Sequence, residues 1–354
     1  MIIYYFQILF LLLAGLLFAH SNRNSKRMME FSLFFLMFFI MAFRDVTVGV
    51  DTETYSDMYK DACQYPLVQL MEIGTYKDEF LFFILMKFCS LFSDSYYFFQ
   101  FVFSFLFCFF SVKFLSNNSI DLFFCGILFI TCGLYLCSFN IQRQMLSIVL
   151  LMNGWNYWVS ERKYKGIAYF LIAELIHLTS FVFLLVIVLY EVTKRWPMFV
   201  KISPGFVIAL LFLWEGMMSY FSDTIVFYTN YLSNHKTTQT AGGIVVVWGI
   251  ISLLSLYILY LKKHEDERTL LMPKIAAVMS LFYVATNIIG LEFNYFERIG
   301  LYFMPFIIEV YECFCSTINN KVRTLIMKLM IGAFYIIYYI LSCGTEQYQY
   351  KLFI

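Results

Sequence analysis

Proline is scarce, with five in 354 residues, and so is charge: Asp, Glu, Lys and Arg make up 14% against roughly 25% in a soluble domain. With 61% hydrophobic residues and a mean hydropathy of +0.74, the chain has too little polar surface to cover a water-soluble fold. That excludes a soluble globular domain and leaves an all-α integral membrane protein, in which scarce proline suits long helices. The formal charge is +1, so the basic excess that a nucleic-acid partner needs is missing too. No CxxC pair has a matching histidine, and no acidic pair has clear metal-ligand spacing. No metal and no cofactor are expected. The nine cysteines are odd in number and mostly sit in apolar stretches, so they read as small core hydrophobes rather than a disulfide framework.

What is abundant is aromatic and aliphatic: 43 Phe and 27 Tyr, in long runs. A crossing helix needs about 20 apolar residues. Clear segments are 2–20, 96–113, 120–139, 142–159, 204–222, 243–261, 272–291, 297–317 and 324–342, with 29–43 a short further one. The first lacks a basic leader and a small-residue cleavage site and reads as a retained span. Segment 79–93 is short and carries Lys87, and 166–191 is long with His177 near its middle. Five basic clusters decide orientation: Arg23/Lys26/Arg27, Arg162/Lys163/Lys165, Lys194/Arg195/Lys201, Lys262/Lys263/Arg268 and Lys321/Arg323/Lys328. With Lys113 and Lys274 they hold 17 of the 25 Lys and Arg. If all five face the cytoplasm, 166–191 enters and returns as a re-entrant pair turning near His177, and 79–93 lies at the outer interface. The expectation is one polytopic domain over residues 1–354, a helical bundle of roughly eleven to thirteen membrane segments. It has a long outer loop at 44–79 and a second at 223–242.

The outer side carries the chemistry. Arg44, Arg143 and Arg298 each stand at an outer helix boundary beside apolar sequence. An arginine at membrane depth is expensive and usually faces a cavity and a partner; its planar fork suits a diphosphate. The plainer reading is an interfacial arginine paired with a neighbouring carboxylate, as Arg44 with Asp45 or Arg298 with Glu297. Arg143, in IQRQML, has no acidic neighbour. His177 in ELIHLTSF is either a proton acceptor or phosphate donor at the cavity floor, or a structural turn histidine. His20, His235 and His264 read as solvated. Asp45, Asp51 and Glu79 bracket the first outer loop. Asp51 or Thr52 reads first as a helix cap, which leaves Asp45 and Glu79 the better carboxylate bases. Tyr228, Asn230 and Tyr231 suit sugar contact, though the plainer reading makes their loop a connector.

FRDVTVGVDTETY (residues 43–55) resembles the R-D-x-x-V-G-x-D-T-x-x-Y signature of the EpsG family of polysaccharide polymerases, also called Wzy-like O-antigen polymerases. Glu79 with FLFFILMKF resembles that family's E-x-x-F stretch. FNIQRQMLSIVL is similar to its N-x-x-R-Q segment through Arg143 and Gln144, ELIHLTSFVFL to its buried histidine turn, and FERIGLYFMPF to its C-terminal R-x-x-x-Y-F. The tail YQYKLF fits as well. The matches run in order over most of the chain. Val50 replaces a frequent Thr and Ser147 a small Ala, and neither change touches a charged group.

The resemblance implies a membrane glycosyltransferase of bacterial envelope-polysaccharide assembly, multi-pass in the cytoplasmic membrane, GT-C-like, with its active site outward. Its implied substrate is an undecaprenyl-diphosphate-linked oligosaccharide repeat, with a chain-length regulator protein as a possible partner. A hydroxyl of one repeat would displace lipid diphosphate from another with inversion. Arg44, Arg143 and Arg298 would hold the diphosphate. Gln144, Asp51 and Tyr302 would contact substrate. Asp45, Glu79 or His177 would take the proton. The competing classes are a flippase or transporter of lipid-linked oligosaccharide, a ligase or transferase using another polyprenyl-linked sugar, and a scaffold without chemistry. Transporters often show repeated hydropathy between halves, which is not evident here.

Overall fold

A computed structural model describes residues 2–18, 23–72, 79–224, 244–260, 271–291 and 293–353. Tyr228, Asn230 and Tyr231 lie outside the described residues, as do His20, His235 and His264. In chain order the helices are α1 (Ile2–Phe18), α2 (Arg23–Ala42), α3 (Thr52–Gln64), α4 (Leu67–Glu72), α5 (Phe80–Ser90), α6 (Tyr96–Asn118), α7 (Leu122–Thr131), α8 (Leu134–Asn140) and α9 (Gln142–Val159). There follow α10 (Lys163–Ile176), a 3-10 turn (Leu178–Phe183), α11 (Leu184–Arg195), α12 (Phe199–Thr224), α13 (Ile244–Tyr260), α14 (Leu271–Gly290), α15 (Asn294–Gly300), α16 (Pro305–Ser316) and α17 (Lys321–Cys343). Among the described residues there is no named strand, only an isolated antiparallel bridge between Arg44 and Leu352.

By length and composition α6, α14 and α17 suffice to cross a membrane, and α7 with α8 makes a fourth span if that bent pair is counted as one. The side of α17 away from the protein carries Leu325, Leu329, Met330, Ile337 and Leu341, all exposed, as a lipid-facing surface requires. Three predicted segments are interrupted. The 120–139 segment bends by 42° where Gly133 takes φ +116°, a conformation that side chains disfavour. The 297–317 segment divides into α15 and α16. Pro305 has no N–H to continue the ladder, and residues 301–303 bond three residues back instead of four. The 166–191 segment breaks at His177, whose backbone is extended. Segment 142–159 coincides with α9, but its Gln, Arg and Asn residues keep it out of the set apolar enough to cross.

The chain forms two compact units. The first comprises Met1–Phe181 and Asn320–Ile354, the second Val182–Asn319. In the first, α9 and α10 pair closely, α6 packs on α2 and on α9, and α17 packs on α7. Phenylalanines interlock α2 with α6: Phe38 meets Phe101 edge-on at 5.0 Å and Phe34 meets Phe105 at 5.5 Å. Asp121 caps α7 through the Phe124 N–H and accepts from Lys328 of α17 at 2.6 Å. In the second unit α14 is central and packs with α11, α12, α13, α15 and α16.

Candidate functional site

Residues 43–51 connect the apolar α2 to the polar α3 and turn tightly, with Val48 N–H bonding the Asp45 carbonyl and Thr52 N–H the Gly49 carbonyl. Gly49 makes that possible: its φ is +102°, and a Cβ there would lie 2.8 Å from Asn140 Oδ1 and 2.9 Å from the Phe139 carbonyl. The Asn140 side chain accepts from the Val50 N–H at 2.8 Å and donates to the Tyr348 hydroxyl at 3.0 Å. The C-terminal segment lies alongside. Asp45 N–H donates to the Lys351 carbonyl at 2.8 Å and Gly49 N–H to the Gln347 carbonyl at 2.8 Å. Phe353 stacks on Tyr97 at 4.2 Å.

Arg44 is at the centre of this arrangement and is fully buried. Its guanidinium donates to the carbonyls of Met41 at 2.7 Å, Val48 at 3.3 Å and Phe139 at 3.4 Å, and it lies 4.5 Å over the Phe139 ring. The mouth-lining position expected for it is thus occupied by backbone contacts. The Arg44–Asp45 pairing is replaced as well. Asp45 accepts from Thr47 N at 3.0 Å, Thr47 Oγ1 at 2.7 Å and Tyr97 OH at 3.1 Å. Burial raises the Asp45 carboxyl, but these hydrogen bonds and the charge of Lys351 outweigh it and hold it below the usual carboxylate range. Asp51 stands at the N-cap of α3 without a side-chain cap bond. Thr52 instead donates to the carbonyls of Val48 at 2.9 Å and Phe139 at 3.1 Å.

Arg143, Glu79 and His177 meet, although 64 and 98 residues separate Glu79 from its two partners. Glu79 is the N-cap of α5, Arg143 the second residue of α9, and His177 the C-cap of α10, so three helix ends converge. One Glu79 oxygen accepts from Arg143 Nη1, and the other contacts His177 Nδ1. Arg143 and His177 keep 24% and 19% side-chain exposure against 10% for Glu79, so these two side chains remain reachable and the carboxylate is screened by them. Burial pushes the Glu79 carboxyl up. The His177 hydrogen bond and charge, the Arg143 charge and the Leu178 N–H together outweigh it, and the carboxyl lies below its ordinary value. An ionised Glu79 only accepts, so Nδ1 is the donor in this contact and Nε2 is the ring nitrogen left free of it.

The His177 turn is fixed from below. Ser180 N–H donates to the His177 carbonyl at 3.0 Å, and Ser180 Oγ bonds Ser147 Oγ of α9 and the Ala173 carbonyl. Tyr55 of α3 underlies Arg143, whose guanidinium carbon sits 5.8 Å from the ring centre. Burial raises the Tyr55 phenol, partly offset by Arg143, so it stays neutral. Gln144 is buried on α9 beside Arg143. Arg298 and Tyr302 belong to the second unit. There Arg298 is exposed on α15 and Tyr302 is fully buried in the turn before α16.

Two residues of the arrangement were not singled out from the sequence. Tyr55 closes the first signature and sits four residues after Asp51, one helical turn, which places it on the face that meets Arg143. Asn140 opens the N-x-x-R segment and ties loop 43–52 to the tail. A model of the EpsG family matches residues 27–352, nearly the whole chain. Searches of curated proteins and of solved structures gave no match.

Proposed function

The chain belongs to the EpsG family, a Wzy-like polysaccharide polymerase family, and from that premise we propose that it joins undecaprenyl-diphosphate-linked oligosaccharide repeats into O-antigen or exopolysaccharide. It works as one polytopic GT-C-like domain in the bacterial cytoplasmic membrane, with the Glu79–Arg143–His177 cluster facing outward. The observation that carries this reading is the convergence of those three side chains, each from a different family-like motif, at three helix ends.

In the proposed reaction a hydroxyl of the incoming repeat gives its proton to His177 Nε2. Its oxygen attacks the anomeric carbon of the growing glycan, and the bond to the diphosphate oxygen breaks on the opposite face. The anomeric centre inverts, a glycosidic bond forms, and lipid diphosphate leaves with the electron pair. Arg143 stabilises the charge gathering on the leaving group in a partly water-excluded site, where a fixed cation is worth most. Glu79 holds the imidazole and the guanidinium in place. Arg298 and Asp51 remain proposed substrate contacts and Asp45 a second proposed proton acceptor, while Gln144 and Tyr302, both buried, are proposed to position their neighbours. Arg44 in this scheme orders the loop rather than touching the diphosphate. A chain-length regulator is a proposed partner. The flippase reading is not favoured, because the family is one of polymerases.

The test is glycan laddering in a deletion strain complemented with wild type, Arg143→Ala or His177→Ala at matched protein levels. The expected result is a single repeat on the acceptor in the deletion strain, a ladder with wild type, and no ladder with either variant. Loss of even the single repeat on deletion would move the step to flipping or an earlier transfer.

A further inference from the structure

An apolar groove of about 420 Å³ runs between α5, α6, α9 and α10 of the first unit. Its buried floor includes Phe82, Leu146 and Ile176. Phe82 is three residues after Glu79, Leu146 is three after Arg143, and Ile176 precedes His177, so the groove begins one helical turn or less from each member of the cluster. From Ile176 it follows α10 to Tyr169, a length of about 10 Å at the helical rise. Tyr169 closes the far end, where its hydroxyl accepts from Lys113 at 2.8 Å. The lips, Phe88 and Ile172, are 57% and 41% exposed, so the groove is open along its side.

A hydrocarbon-walled groove whose floor starts within one helical turn of Arg143 matches an amphiphile with an anionic head and an apolar tail. We infer that this groove holds the first isoprenoid segment of the lipid carrier while its diphosphate lies at Arg143. The inference rests on the polymerase reading and adds a tail subsite to it. A polyprenyl chain in a bilayer is already in hydrocarbon, so the groove gains little from the hydrophobic effect. What it supplies is position. It fixes the depth and direction of the tail, and so brings the diphosphate–sugar bond to a constant place against His177. The side opening lets the chain enter from the bilayer without leaving it.

The experiment uses the full chain in phosphatidylcholine nanodiscs and a geranylgeranyl diphosphate carrying a diazirine on its second isoprene unit. After illumination, labelled residues are read by mass spectrometry. Labelling is expected on groove residues of α5 and α10 and is competed by unlabelled prenyl diphosphate. Leu85→Trp and Ile172→Trp, which fill the groove from its partly exposed side, should each cut labelling at least fivefold. Leu171→Trp, one residue away and outside the groove, should leave it unchanged. Arg143→Gln should reduce labelling by releasing the head. Labelling elsewhere, labelling insensitive to both groove-filling variants, or equal competition by dipalmitoyl phosphatidate would overturn the tail subsite. If the groove is labelled as expected but the wild-type chain makes no polymer in the laddering assay, the subsite stands and the polymerase reading falls.

Discussion

Arg44 and Arg143 follow the same rule in sequence, each at an outer helix boundary, yet the fold gives them opposite environments. Arg44 is sealed, with three backbone carbonyls as acceptors and an aromatic ring beneath it. Arg143 meets a carboxylate, lies over a tyrosine and stays reachable. A buried guanidinium aimed at carbonyls organises backbone: it bonds Met41 and shares the Val48 and Phe139 carbonyls with Thr52. A partly open guanidinium on an ionised carboxylate keeps donors facing the cavity and can exchange them with a ligand. The boundary position is the same for both, and the neighbours decide between structure and chemistry.

The largest contrast is expected between the two alanine variants. Arg143→Ala should lower polymer yield by about 10²–10³-fold per folded molecule, with a smaller drop in melting temperature than Arg44→Ala. Arg44→Ala should instead lower the melting temperature and the amount of folded protein, by roughly 3 kcal/mol for the lost hydrogen bonds and the cavity. Polymer made per folded molecule, from quantitative blotting beside the ladder, separates the two. If Arg44→Ala is stable but inactive, the comparison collapses and Arg44 rejoins the site.

A smaller effect tests the loop that Arg44 organises. Gly49→Ala places a side chain at φ +102° and against Asn140, which should destabilise by about 1–3 kcal/mol, read as a lower melting temperature. A pH series then sharpens the picture of the cluster. The folded state holds the Glu79 carboxyl below its ordinary value, so its ionisation stabilises the fold above the unfolded carboxylate pKa of 4.5. That contribution is lost as pH falls through 4.5 toward the depressed folded value. Glu79→Gln should therefore flatten the acid limb of melting temperature against pH, and His177→Ala, which removes a group that lowers the folded Glu79 value, should flatten it in part. The smallest effect belongs to Tyr348→Phe, which removes the acceptor for Asn140 and should cost about 1 kcal/mol with polymer length unchanged.

Most of the helices were legible in the sequence because long apolar runs leave few alternatives in lipid. The interruptions were harder. Gly133 and Pro305 lie inside runs whose mean hydropathy gives no sign of a break, since hydropathy averages over the residue that stops the ladder. The meeting of Glu79, Arg143 and His177 was not legible as geometry. Each stood out singly, Arg143 for want of an acidic neighbour in sequence, yet its carboxylate partner lies 64 residues back and belongs to another helix end. Arg44 misled for the same reason in reverse: nothing local to residue 44 foretells that Phe139 and Leu352 close over it.

The strip formed by residues 347–353 against residues 43–49 also orders events in time. Loop 43–52 is made early in synthesis, but backbone groups that hold it follow about 300 residues later. Until residues 347–353 arrive, Asp45 and Gly49 lack their carbonyl acceptors and Arg44 lacks its cover. A nascent or truncated chain can therefore be inserted and largely helical while its first signature loop remains unformed. Arrival of residues 347–353 becomes the step that converts an inserted polypeptide into one with a finished first loop.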